Sequence, residues 1–296
     1  MMLRKRLSQQ GGTHCLTFDV EEHFQVSAFD TAEMRNGWER CVSRVECNTE
    51  KILALLEADK MRATFFVLGW VAERHKNLVR SIVAHGHEVA SHGYAHEMIT
   101  RQTPDQFRVD VGKAKSILED VTGKLVMGYR APSFTITQQT EWALRILVEE
   151  GYRYDSSIFP IFHDRYGMPG APVYCHERET GAGKILEIPP TTVTVAGVNI
   201  PIAGGGYFRQ CPYVVFHRLL LRAAEMGGPL VMYFHPWEFD PQQPRMEGSW
   251  LSRFRHYRNL DKTEERVKRL LRDFAFAPIC ESVEPVKTWC AEYSTA

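Results

Sequence analysis

Short apolar runs, each followed by an amphipathic stretch of helical period, alternate along the first half of the chain. Cys15, Leu16, Phe18 and Val20 mark a buried strand that runs into the acids Asp19, Glu21 and Glu22. Asn48 and Thr49 then read as caps of a helix through Glu57, with Ile52, Leu53, Leu55 and Leu56 on its apolar side. Residues 63–67 form the next strand, 77–84 a helix stopped by Gly86, and 87–91 a third strand. Thr103, Pro104 and Gln106 carry a capping-box pattern with proline at the first helical position, opening a helix to about Val121. A strand at 127–130, a helix at 138–150 and a strand at 152–155 follow. Strands alternating with helices predict a parallel α/β sheet.

Beyond residue 155 the pattern loosens. Residues 159–183, rich in Gly, Pro and His, read as a long loop, and 184–188 and 191–195 as strands joined by Pro189 and Pro190. Gly204, Gly205 and Gly206 mark a tight turn or a close approach of backbone to something bound. They lack the Lys-Ser/Thr of a phosphate loop. Residues 212–226 are helical, 230–234 form an apolar strand that delivers His235, and 263–274 an amphipathic helix. Asp19, Glu21, His92, Arg130, Asp155 and His235 therefore all fall at strand C-termini. In a barrel of parallel strands those ends converge on one face.

Composition narrows the classes. A chain of 296 residues with 44% hydrophobic content supports one large α/β domain or two ordinary ones. Lys+Arg and Asp+Glu are equal at 36 each, which gives no electrostatic case for nucleic acid or an anionic membrane. No apolar run approaches the length of a transmembrane segment, and Met1 to Thr13 lacks the apolar core of a secretory signal. Seven scattered cysteines without a C-x-x-C pair fit reduced thiols. The expectation is a cytoplasmic protein.

The chemistry concentrates in Ser91-His92-Gly93-Tyr94-Ala95-His96. Two histidines four residues apart reach one point if the segment makes a helical turn. An acid from the first strand completes a two-imidazole, one-carboxylate set of the kind that holds catalytic zinc. Residues two apart on a strand share a face, so Asp19 and Glu21 both point into the site, and Glu21 is preferred over Glu22 as the ligand.

These residues resemble the NodB-type polysaccharide deacetylases, carbohydrate esterases that remove acetyl groups from glycans. Thr17-Phe18-Asp19-Val20-Glu21 matches the family's Thr-Phe-Asp-Asp motif, with an acid–Val–acid spacing in place of adjacent acids. His92 to His96 matches His-Ser/Thr-x-x-His, Arg130-Ala131-Pro132 matches Arg-x-Pro, Tyr154-Asp155-Ser156-Ser157 the Asp-centred motif, and Val231 to His235 the strand ending in His. The wording around Gly204 to Arg209, Tyr233 to Glu238 and Phe254 to Tyr257 is similar to a subgroup associated with exosortase (PEP-CTERM) exopolysaccharide loci, which carries a C-terminal extension. The resemblance implies an α/β fold, a distorted (β/α)7-type barrel over residues 13–240, after an N-terminal tail (1–12) and before an extension (241–296) packed on the barrel. It implies a divalent metal at Glu21, His92 and His96, zinc first, with cobalt, nickel or iron compatible with the same donors. Asp19 would be the general base, oriented by Arg130. The Ser133 backbone N–H, after Pro132, would serve the oxyanion. His235 would protonate the leaving amine, with Asp155 holding its imidazolium. Tyr207 and Trp237 would bind sugar.

The implied reaction is removal of N-acetyl groups from N-acetylhexosamine units of a polysaccharide or its precursor, in company with exopolysaccharide-synthesis machinery. Rival readings are a cyclic-amide or peptidoglycan amide hydrolase on the same fold, a non-catalytic glycan-binding protein, and a scaffold for an export complex.

Overall fold

In the computed structural model, which describes residues 13–163 and 165–294, strand β1 (His14–Val20) is buried along its whole length. A strand this apolar must be covered on both faces, and here its neighbours are β2 (Thr64–Val67) on one edge and a late strand, Val231–Phe234, on the other. Between these come β3 (Glu88–Ser91), β4 (Gly128–Tyr129), β5 (Tyr154–Asp155), β6 (His176–Thr180), β7 (Gly183–Glu187) and the hairpin β8 (Thr192–Val195) and β9 (Val198–Pro201). Numbering Val231–Phe234 as β10, the main sheet runs β10-β1-β2-β3-β4-β5-β7-β6. All its pairings are parallel except β6 with β7.

The ring closes through irregular backbone. The Thr191 N–H donates to the Val231 carbonyl (3.2 Å) and the Tyr233 N–H to the Ala203 carbonyl (3.1 Å), so the segment from β7 to the triple glycine fills the gap beside β10. That seam makes the α/β barrel distorted. The first two glycines make room for the protein's own side chains and not for a bound group: a Cβ on Gly204 would collide with the Tyr233 hydroxyl, and one on Gly205 with the Glu238 carboxylate.

Local signals explain most element boundaries. The capping box at Pro104–Thr122 is present in both directions, with the Gln106 N–H donating to Thr103 Oγ1 (3.3 Å) and the Thr103 N–H to Gln106 Oε1 (2.8 Å). The first long helix departs from expectation: it runs Val45–Ala58, and Asn48 and Thr49 lie buried inside it. Their hydroxyl and amide are used elsewhere, Thr49 bonding back to the Val45 carbonyl and Asn48 donating to Asp240. The expected loop at 159–183 contains β6, a polar edge strand without an apolar run to reveal it.

The C-terminal portion is stitched into the sheet. Strand β11 (Phe276–Ala277) pairs with His14 and Cys15 of β1, and the helix Thr263–Asp273 buries Val267, Leu270 and Leu271. Arg209, fully buried, donates to the carbonyls of His256 (3.0 Å) and Arg258 (2.6 Å), tying this portion to the barrel. Among the described residues, no helix is long and apolar enough to cross a membrane.

Candidate active site

Asp19 lies one residue before the end of β1, Asp155 ends β5, and His92, Arg130 and His235 each follow the last residue of β3, β4 and β10. Parallel pairing carries these ends to one rim. Asp19, His92, His96, Ser133 and His235 all line one cavity of about 160 Å³ there.

The histidine pair arrives without the expected helical turn. Residues 92–98 are irregular, with Gly93 at φ 75° and His96 at φ 50°, and the two rings lie 5.2 Å apart between centroids. Asp110, from the helix Pro104–Thr122, shapes this loop by accepting the N–H groups of Tyr94 (2.8 Å) and Ala95 (3.1 Å). A side chain at position 93 would collide with it: a Cβ there would sit 2.6 Å from Asp110 Oδ2. Glu21 is also placed by a turn rather than by strand alternation. Strand β1 ends at Val20, and the Glu21 N–H folds back onto the Asp19 carbonyl (3.1 Å).

One ligand atom from each of Glu21, His92 and His96 lies within 4.8 Å of the others, all three residues buried. The donor set fits a divalent metal. His92 Nδ1 faces the Arg130 carbonyl (2.8 Å), which leaves Nε2 for the site. Glu21 Oε2 and His96 Nδ1 are buried without a hydrogen-bond partner among the described residues, although Oε2 lies 2.7 Å from His96 Nε2. Burial pushes His92 down to about 4, the neutral form that ligation requires. Burial raises the Glu21 carboxyl, but His96, His235 and His92 outweigh that and hold it well below the usual carboxylate range. Glu22 is committed elsewhere, accepting the backbone N–H of Arg44 and the Ser43 hydroxyl.

Arg130 is completely buried and organises the floor. Its Nη1 donates to Asp19 Oδ1 and Thr17 Oγ1, both at 2.7 Å, while Nε and Nη2 reach the Ser156 carbonyl and hydroxyl. Pro132 opens a short turn in which Ser133 and Phe134 take left-handed backbone (φ 53° and 55°), strain of the kind retained at functional turns.

One expectation is corrected. Asp155 does not hold His235. It accepts the Ser157 hydroxyl, which in turn accepts the Ala131 N–H (2.7 Å), so Asp155 braces the turn carrying Arg130. The partner of His235 is Glu238, with Oε1 2.8 Å from Nδ1, while His235 Nε2 lies 3.9 Å from Asp19 and 3.8 Å from Glu21. Burial lowers the His235 imidazole, yet the Glu238 hydrogen bond and the surrounding carboxylates raise it to about 9. Trp237 lines the metal-site cavity. It is buried between His235 (4.9 Å, stacked) and His256 (4.1 Å, stacked), and its indole N–H donates to Glu21 Oε1 (2.9 Å). Tyr207 faces a neighbouring cavity rather than the metal-site one, its hydroxyl 3.3 Å from that of Tyr166.

Sequence reasoning missed Glu238, its buried ion-pair partner Arg209 (2.8 Å), Asp110 and Glu187. A signal for Glu238 existed. His235-Pro236-Trp237-Glu238 has the spacing of a capping box, and the Glu238 carboxylate does accept the His235 N–H (3.1 Å).

Comparison with known proteins adds two family matches. Residues 12–154 match the polysaccharide deacetylase family, and residues 156–284 match a domain of unknown function. A peptidoglycan deacetylase-like protein of Gibberella zeae is 34% identical over 143 residues, covering 47% of this chain and 41% of that protein. A peptidoglycan deacetylase of Helicobacter pylori is 32% identical over 113 residues, 38% of each chain. The chain thus spans about two fifths of the length of these curated relatives. A Mycobacterium smegmatis crystal structure bearing the polysaccharide deacetylase name superposes with a TM-score of 0.60 over 95% of this chain and 92% of that one, at 22% identity. That likeness establishes a shared fold.

Proposed function

We propose that the polysaccharide deacetylase domain at residues 12–154 and the segment after it together form a metal-dependent N-deacetylase acting on N-acetylhexosamine units of a polysaccharide or its precursor. The observation that carries this reading is the meeting of the Glu21–His92–His96 cluster with Asp19 and His235 across one small cavity. Glu21, His92 and His96 would hold the metal, zinc first. When bound, it supplies a Lewis acid for the acetyl carbonyl and lowers the pKa of water. Asp19, fixed by Arg130, takes the proton as water oxygen bonds to the acetyl carbon. The Ser133 N–H serves the developing oxyanion. His235, kept protonated by Glu238, gives its Nε2 proton to the amide nitrogen as the C–N bond breaks. Acetate leaves, and the sugar keeps its amine. A base and an acid with opposite protonation states are what amide hydrolysis needs, because nitrogen leaves poorly unprotonated.

The names of the relatives favour peptidoglycan as a second substrate reading. Work on an exopolysaccharide precursor in the cytoplasm, beside the synthesis machinery, belongs to the first. Acetate release from a panel of N-acetylated glycans, paired with metal analysis of the purified protein, tests both. Asp19→Asn is expected to keep its metal and lose at least about 100-fold in kcat, the scale of a general base, whereas His92→Ala loses metal and turnover together. An Asp19→Asn protein with near-normal rates would remove Asp19 from the base role.

A further inference from the structure

Beside the metal-site cavity lies a larger one of about 780 Å³, and Tyr233, His235 and Trp237 line both. Its walls are mainly hydrocarbon: Ile200 and Ile202 from the β9 side, and Phe216 and Leu219 from the helix Tyr213–Glu225. Tyr207, Gln210 and Ser252 also line it, but against the four apolar side chains a sugar hydroxyl would find no partner, whereas an aliphatic chain gains from each methylene it buries. Two arginines, Arg165 and Arg255, stand at this cavity and both act electrostatically on Tyr166 between them. Both are exposed, and neither forms an ion pair with a described residue.

The wall that contributes Ser252 and Arg255 is the helix Trp250–Tyr257. It leaves Trp250 (76% exposed), Leu251 and Phe254 open to solvent, with Arg253 and Arg255 on the same helix. Exposed aromatic and aliphatic side chains interleaved with arginine are the composition of an element that lies at an anionic lipid surface. A balanced net charge for the whole chain hides this local arrangement.

We infer that the substrate is a membrane-resident N-acetylglycosyl lipid, a sugar joined through phosphate to a long aliphatic chain. The N-acetyl sugar occupies the metal-site cavity, the phosphate meets Arg165 and Arg255, and the first part of the chain fills the large cavity. This rests on the deacetylase reading and names its substrate class.

The zinc-loaded full chain is tested with farnesyl phosphate and inorganic phosphate in binding titrations, and with N-acetylglucosaminyl farnesyl phosphate and N-acetylglucosamine 1-phosphate for acetate release. Farnesyl phosphate is expected to bind at least about 100-fold more tightly than inorganic phosphate, since each buried methylene contributes roughly 3- to 4-fold. Acetate release is expected to show a comparable kcat/KM preference for the lipid-bearing sugar. Ile200→Glu, on a half-exposed hairpin where folding is tolerant, should abolish the binding preference. Arg165→Glu with Arg255→Glu should weaken farnesyl phosphate by at least about 10-fold and leave farnesol unaffected. Equal binding of the two phosphates, or equal kcat/KM for the two sugars, overturns the inference. Acetate release from neither sugar, with tight farnesyl phosphate binding retained, overturns the deacetylase reading and leaves the lipid site standing.

Discussion

Glu238 shows how much one carboxylate carries here. It is fully buried between His235 Nδ1 and Arg209 Nε, each 2.8 Å away, so its charge balances a buried cation while fixing the ring that must deliver a proton. Glu238→Gln keeps shape and one hydrogen bond but strands Arg209 without an anion. Removing one partner of a buried pair costs roughly 3 kcal/mol or more, so the variant should unfold at markedly lower denaturant. It should also lose at least about 10-fold in kcat, because the imidazole no longer has a carboxylate favouring its charged form. Its metal content should be unchanged, as Glu238 is not among the clustered ligands. Chemical denaturation, metal analysis and kinetics on one sample decide it. Loss of metal with kcat per metal preserved would mean that Glu238 supports the metal site and not His235.

At the scale of elements, strands and their ends were legible because parallel strands are apolar along their length and acids or histidines punctuate them. The loops were legible only as composition. Nothing in His92-Gly93-Tyr94-Ala95-His96 distinguishes a helical turn from the irregular loop observed, since the deciding contact comes from Asp110 on another helix. Likewise the apolar strand marks His235, but its partner is set by the backbone turn at Pro236. The family resemblance pairs Asp155 with His235, whereas the fold buries it against Ser157. The loop makes its own prediction. Asp110→Ala leaves two backbone N–H groups without acceptors, at a cost of about 2 kcal/mol, and frees a segment whose geometry aligns both histidines. Metal affinity should fall about 10- to 100-fold, the usual effect of losing an outer support to a ligand. Titration against a competing chelator measures this directly. Unchanged affinity would show that the histidines are held by the strand and the metal alone.

For the molecule as a whole, the two family matches meet between residues 154 and 156, yet the sheet crosses that line, with β5 paired to β7. Asp155 and Glu187 face each other in this register, both fully buried. Burial raises Asp155 to about 6, and burial together with the Asp155 charge raises Glu187 well above its ordinary value. Two carboxyls in such a place share protons instead of ionising together. The native state therefore holds protons that the unfolded chain gives up near pH 4, so stability from this pair is fully present below that pH. It is lost as pH rises through about 6 and beyond. Glu187→Gln removes the titration while keeping the geometry. The amide oxygen can still accept the Ile158 N–H (3.0 Å), and its NH2 can donate to Asp155. The variant should match the parent near pH 4 and exceed it in melting temperature by a growing margin toward pH 8, since each unit of raised pKa corresponds to about 1.4 kcal/mol. Thermal unfolding of both proteins across that range tests the sign. A margin that shrinks with pH would mean that Glu187 is ionised in the native state, and that the seam between the two matched segments is held by a charge rather than by a shared proton.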